Sequence, residues 1–295
     1  MKTRKKSHQS KRPLFIFITV GVLLGFILTL SFDTYLKQLT QKAAKSLDTS
    51  TNQFIFLVEK ERRRNSPLKL PILFYHYVEV VTDERDTIRK SLNIEPTVFE
   101  SQLITLKNYG YTPIHLKQLI DYYNNKSPLP SKPIVITFDD GYRDFYTDVL
   151  PIIKRQQAKA TLYMVSGFRD YTKNYLTTPQ LLEISKELLV EIGAHSVNHF
   201  NLGYIPLAEA IAEIEASKKD LEKLIGKPVT HFAFPYGAYT PPVQQATQKS
   251  GFQTAATIDS GIIQFYSQRF SLKRIRRGRM TGNDFITHIE NFAAN

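Results

Sequence analysis

The groups in this sequence best able to do chemistry together are two adjacent aspartates and two histidines spaced four apart. Asp139 and Asp140 stand in the run TFDDGY, residues 137–142, and His195 and His199 in HSVNH, residues 195–199. Side chains four apart on a helical turn or tight loop point the same way, so both imidazoles can meet one ion. One carboxylate and two imidazoles make a three-ligand site with open positions on a divalent ion such as zinc; cobalt, nickel and iron suit the same set. The dication offsets the repulsion between the neighbouring carboxylates. The other carboxylate, beside the ion but not bound to it, is placed to accept a proton from water. Gly141 permits a tight turn and close approach of substrate to the backbone. Taken singly, HxxxH reads as two unrelated histidines and DDG as an acidic turn. An apolar strand ending just before each motif favours the shared site. Cysteine is absent, which excludes a thiolate ligand, a thiolate nucleophile and a disulfide framework.

The elements that must position these groups alternate along the chain. Strand-like runs are PILFY (71–75), PIVITF (133–138), ATLYMV (160–165), VEIGAH (190–195), HFAFP (231–235), QTAAT (253–257) and LKRIR (272–276). Between them lie helical patterns, among them 96–110, a run from the aspartates through Gln156, TPQLLEISKELL, and 206–226 with Leu207, Ile211, Ile214, Leu221 and Ile225 on one face. Such alternation predicts a parallel α/β sheet, either doubly wound or closed into a barrel. In both architectures functional groups gather at the C-terminal strand ends. Asp139, Asp140, His195, Pro235 and Tyr236 are therefore expected on one rim, with Tyr75, Tyr77, Tyr142 and Tyr236 placed to stack on a ligand ring.

Ahead of this region the first twelve residues are basic, and residues 14–32 are apolar and uncharged. About 20 such residues span a bilayer core of roughly 30 Å. The charge order puts residues 1–13 in the cytoplasm as a basic tail, 14–32 in the membrane as a single-pass anchor, and the remainder outside the cell membrane. A cleaved signal peptide is the competing reading. Residues 33–69 read as a stalk, with the Arg62-Arg63-Arg64 cluster part of a solvated spacer, and residues 70–295 as the functional domain. The net charge of +12 is unevenly spread, and 42% apolar residues among 295 suffice for a real core. The basic stretch 269–279 would suit nucleic acid, but the extracytoplasmic placement argues against that partner and towards anionic wall polymers.

These motifs resemble those of the polysaccharide deacetylases of carbohydrate esterase family 4. TFDDG is similar to the family's first motif and HSVNH to its second, in the right order and separation. FAFPYG (232–237) is similar to the third. The resemblance covers roughly residues 70–290 and implies a distorted (β/α) barrel and metal-dependent hydrolysis of an N-acetylated polysaccharide, releasing acetate. By resemblance Asp139 is the general base, Asp140, His195 and His199 are the metal ligands, and the backbone N–H of Tyr236, after Pro235, helps hold the oxyanion. Two positions depart from the family. Ala233 stands where an arginine orients the catalytic aspartate, and no histidine occurs between His231 and His288 to serve as general acid. Both gaps resemble the poly-N-acetylglucosamine deacetylase branch. On that basis His76, in LFYHYV, is expected to act as acid or substrate ligand, and Arg274, in LKRIR, to take the orienting role. A non-catalytic glycan-binding relative is the alternative that the gaps leave open.

Overall fold

The computed structural model describes residues 35–36, 49–81, 83, 85–276 and 278–292. The expected anchor, residues 14–32, lies outside them, and among the described residues no helix is long and apolar enough to cross a membrane. The chain divides into two compact units, Met1–Glu59 and Lys60–Asn295, and the second holds every strand of the main sheet.

Seven parallel strands close on themselves: β1 (Ile72–Tyr75), β2 (Pro133–Phe138), β3 (Ala160–Met164), β4 (Val190–Ala194), β5 (His231–Ala233), β6 (Thr254–Ser260) and β7 (Leu272–Arg276). Each pairs with the next, and β7 returns to β1 through Ile275 opposite Leu73, which settles the sheet as a barrel and not an open sheet. Most of the strands carry long apolar stretches because both faces are covered, by helices outside and by side chains within. β2 shows this, with all six residues buried.

Alternation along the strands sorts residues between the two layers. Ile134, Ile136 and Phe138 join the outer core, beneath the helices, whereas Val135 joins Ile72, Tyr163, Ala233, Ala256 and Leu272 in the interior. The interior phase continues through Thr137 to Asp139 on β2, through Phe74 to His76 on β1, and to Arg274 on β7. Tyr163 fills the waist against Gly193, where an added Cβ would lie 2.5 Å from its ring. At the N-terminal end of the barrel, Glu191 of β4 accepts from the backbone N–H of Leu116 and Lys117 at 3.0 and 3.3 Å, the first turn of the helix Leu116–Tyr123, and lies 3.3 Å from His231 Nε2.

From residue 49 on, the helices among the described residues are α1 (Thr49–Asn65), α2 (Thr87–Leu92), α3 (Pro96–Asn108), α4 (Leu116–Tyr123), α5 (Leu150–Gln156), α6 (Thr178–Ile184), α7 (Leu207–Ile225), α8 (Pro241–Lys249) and α9 (Gly282–Asn291). Local chemistry marks their ends. Pro96 opens α3; Thr177 and Gln180 form a capping box at α6; Gly226, at φ 66°, closes α7. Three details differ from the sequence reading. The run before α5 begins as a π turn, Phe145–Val149, because Pro151 has no N–H for the regular ladder. On α7, Leu207 is exposed while Glu213 is buried. The arginine cluster is no mere spacer: Arg63 donates to Tyr122 O and Ser127 O at 3.1 Å, and Arg64 lies over the Tyr266 ring at 4.1 Å. Carbonyls left over at the end of α4 supply part of the reason.

Candidate active site

Asp139 and Asp140 reach the same cavity by different means. Asp139 continues the inward phase of β2. Asp140 would fall on the outer phase, but its backbone turns left-handed, φ 74°, and swings the carboxylate back over the barrel mouth. Gly141 follows at φ 75°, and an added Cβ there would sit 2.2 Å from Met164 Sδ. The close approach that requires this glycine is thus to Met164, and neither Gly141 nor Pro235 lines the cavity.

Arg274 lies inside the barrel, fully buried. Its two terminal nitrogens each donate to one oxygen of Asp139 at 2.8 Å, its Nε donates to Thr257 O at 2.7 Å, and Nη1 also donates to Thr137 Oγ1 at 3.2 Å. Phe74 covers the guanidinium, 4.7 Å from ring centre to carbon. Burial pushes the Asp139 carboxyl up, but the Arg274 charge and its paired hydrogen bonds prevail and hold it below the usual carboxylate range. Asp139 is therefore held ionised and oriented, as a carboxylate able to accept a proton must be.

Asp140, His195 and His199 present three ligand atoms that all lie within 4.8 Å of one another. His195 Nδ1 stands 2.7 Å from Ala233 O, an acceptor, so this nitrogen carries a proton and Nε2 is the atom left to face a ligand. Burial alone would lower the ring's pKa, but Asp140 and Asp139 raise it, so a bound cation would displace a proton from Nε2. Nε2 lies 3.3 Å from Asp140 Oδ1, and His199 Nε2 lies 3.2 Å from the same oxygen. The buried Oδ1 has no aligned hydrogen-bond donor. Acceptors converging in this way suit a cation, and the donor set of two imidazoles and one carboxylate fits a divalent metal.

The loop between the histidines is held tightly. Ser196 and His199 adopt φ values of 64° and 57°, and Ser196 Oγ accepts from the His199 N–H at 2.9 Å. Ser166 and Gly167, just after β3, donate their N–H groups to Ser196 O and Val197 O at 3.1 and 3.0 Å. Glu213 of α7 accepts from the N–H groups of Val197 and Asn198 at 2.9 and 2.8 Å, and from the Asn198 side chain at 2.6 Å. Glu213 escaped the sequence reading. Its trace was a carboxylate one residue before Ile214, on the face that must pack inward.

The cavity above these groups holds about 690 Å³ and is walled by His76, Tyr142, Phe168, Tyr175, Tyr236 and Ile258. Tyr236, at φ 59°, is 60% exposed with its ring centre 4.6 Å from that of His199. In the same turn, the N–H groups of Gly237 and Ala238 bond to Phe234 O and Pro235 O. Of the four tyrosines expected at the rim, Tyr75 is instead core, its hydroxyl donating to Gln102 at 2.9 Å, and Tyr77 lies beneath Tyr142 with ring centres 3.7 Å apart. His76 stands in the cavity wall beside Phe74.

Comparison with known proteins agrees with this geometry. Residues 126–255 match the family model described as polysaccharide deacetylase. A Bacillus subtilis protein named provisionally as a polysaccharide deacetylase, YxkH, is 28% identical over 77% of this chain and 78% of its own. A Staphylococcus aureus poly-beta-1,6-N-acetyl-D-glucosamine N-deacetylase is 25% identical over 68% of this chain and 71% of its own. Among solved structures, Streptococcus pyogenes deacetylase PplD in complex with acetate superposes with a TM-score of 0.69 at 28% identity, covering 77% of this chain and 99% of that one. Residues 126–255 thus match a polysaccharide deacetylase domain, and the relatives and solved structures that the chain resembles are named as deacetylases, hydrolases acting on amides.

Proposed function

We propose that this protein removes acetyl groups from N-acetylglucosamine residues of an extracytoplasmic polysaccharide, poly-N-acetylglucosamine or peptidoglycan glycan, with one divalent ion held by Asp140, His195 and His199. The carrying observation is an ionised Asp139, locked by Arg274, directly beside a triad of converging metal ligands. The name of the Staphylococcus aureus relative supports the sugar. The basic tail and apolar run at residues 1–32 support the placement outside the membrane.

When bound, the ion, zinc or a similar metal, supplies Lewis acidity towards the acetamide carbonyl. The chain's own groups do the rest. Asp139 takes a proton from the attacking water as the new C–O bond forms, and Arg274 keeps the carboxylate aimed and ionised. The Tyr236 N–H donates to the oxyanion; losing one such donor costs roughly 3 to 4 kcal/mol in other hydrolases. His76 protonates the departing nitrogen as the C–N bond breaks, leaving acetate and a free amine. The aromatic wall of Tyr142, Phe168, Tyr175 and Tyr236 offers faces for sugar rings. Because Arg274 fills the place left by Ala233, the first of the two gaps that favoured a non-catalytic glycan binder has a substitute.

The test is acetate release from N-acetylglucosamine oligomers of differing linkage by the full chain loaded with zinc or cobalt, with Asp139→Asn beside it. Release by the parent and not by the variant supports the reading. No release from any oligomer by protein carrying one metal per chain overturns it.

A further inference from the structure

We infer that Glu213 is a positioning residue of the metal centre: by clamping Val197 and Asn198 it fixes His199 in the orientation that completes the three-ligand set. The inference rests on the metal-site reading above. It concerns how the chain prepares that site rather than which substrate it takes.

His195 is set by its own strand. It continues the inward phase of β4, its N–H donates to Met164 O at 2.9 Å, and its Nδ1 is tied to Ala233. His199 has no strand to hold it. It stands four residues on, after a loop with left-handed backbone at Ser196 and again at His199 itself. Such conformations cost of order 1–3 kcal/mol each for residues other than glycine and persist only where surrounding contacts impose them.

The contacts that impose them come from three directions. Ser196 Oγ accepts the His199 N–H from within the loop. The backbone after β3 takes up the carbonyls of Ser196 and Val197, and Gly167 fits there because a Cβ would come 2.5 Å from Val197 O. The N–H groups of Val197 and Asn198 point the other way, and both end on one carboxylate oxygen of Glu213, while its second oxygen takes the Asn198 amide. One side chain thus satisfies three donors of a five-residue metal loop from a separate element, α7. Glu213 is 6% exposed, so these donors stand in for water around its carboxylate. Truncation would take the protein acceptor from two part-buried N–H groups and free the loop to relax towards unstrained backbone, carrying His199 away from Asp140.

Outer partners of ligand residues typically change metal affinity by about 10 to 100-fold when removed. The experiment measures cobalt and zinc affinity of the full chain by competition with a chelating dye, together with the cobalt absorption spectrum and the unfolding midpoint of the metal-free protein. Glu213→Ala is expected to bind metal at least about tenfold more weakly, with an altered cobalt spectrum. Glu213→Gln keeps one acceptor oxygen for the two backbone N–H groups, and its NH2 can donate to Asn198 Oδ1 once that amide turns over, so it is expected to bind metal within a few-fold of the parent. Glu213→Leu fills the same space with no acceptor and should be impaired like Glu213→Ala. Should Glu213→Ala fail to fold, the Leu and Gln variants decide the matter. Unchanged affinity and spectrum in the folded Ala or Leu variant, or an equal loss in Glu213→Gln, overturns the assignment. A metal effect in a parent that releases no acetate would sink the proposed substrate while leaving the role of Glu213 standing.

Discussion

Arg274 of β7 and Asp139 at the end of β2 share two parallel hydrogen bonds of 2.8 Å inside the barrel, although they stand far apart in sequence. Strand alternation puts both on the interior phase, and closure of β7 against β1 brings them together. Lysine cannot reproduce the planar two-point contact. Arg274→Lys is therefore expected to fold, lose turnover, and move the acidic limb of the rate profile upward. Asp139 now titrates low because the guanidinium outweighs burial; with that hold weakened its pKa rises, so a higher pH is needed to ionise it. The shift is about one unit for every ~1.4 kcal/mol of charge stabilisation lost. Arg274→Ala, which strands a buried carboxylate, should cost about 3 to 5 kcal/mol of stability. Rate profiles and denaturant unfolding check both, and an unmoved acidic limb would count against the orienting role.

The converging acceptors of Asp140, His195 and His199 predict that metal binds the folded chain and not the unfolded one. Adding zinc to chelator-stripped protein should raise the unfolding midpoint in step with concentration, by about 2.7 kcal/mol at a hundred times Kd. His199→Ala should lose this response while its metal-free midpoint stays near the parent's, because His199 is less buried than its two co-ligands. Calorimetric scans at several zinc concentrations provide the measurement. An equal zinc response in His199→Ala would remove it from the ligand set.

Six of the seven barrel strands were legible as largely apolar runs and the seventh, LKRIR, by its alternation alone, and TFDDG and HSVNH pointed to one rim because strand ends in such sheets share a face. Closure was not legible from pattern alone, since doubly wound sheets and barrels alternate strands and helices alike; Ile275 opposite Leu73 decides it. LKRIR reads as a solvated basic edge strand until β7 is found between β6 and β1, where the same alternation drives Arg274 into the core. The roles within DDG depend on the left-handed turn at Asp140, which a propensity for ordinary strand geometry does not reveal. Glu213 was hidden because helical periodicity ranks residues by hydrophobicity, and this one is buried for the donors it satisfies.

At the opposite end of the barrel Glu191 is a stability device with a definite pH sign. Burial alone would raise its carboxyl, but the neighbouring His231, with His115 and the backbone N–H of Lys117, lowers it from 4.5 to about 2. The unfolded chain then binds more protons than the native one between those values, so this contribution is complete above pH 4.5 and is lost as pH falls towards 2. Its size is on the order of 3 kcal/mol at ~1.4 kcal/mol per unit. Glu191→Gln should be less stable than the parent at pH 7, and the gap should narrow on acidification to pH ~3. Urea unfolding at both pH values reads this directly; a gap that stays constant would mean that Glu191 acts through its hydrogen bonds to α4 and not through its charge.

The absent late histidine leaves protonation of the departing amine to another group, and the proposed acid is His76. It follows β1 on the interior phase, in the wall of the cavity that Asp139, Asp140 and Arg274 also line. It adds to the favourable field at both aspartates. General acids contribute about 10² to 10⁴-fold where proton transfer limits the rate. His76→Ala should lower kcat within that range while leaving metal content unchanged, because His76 is not one of the three converging ligands. A substrate whose leaving amine is already a good leaving group needs little protonation, so an activated N-acetyl compound should lose much less. A variant that retains full turnover on the glycan oligomer with one metal per chain would show that the proton comes from elsewhere. Equal losses on both substrates would make His76 a binding group, since an acid acts only where the leaving group requires it.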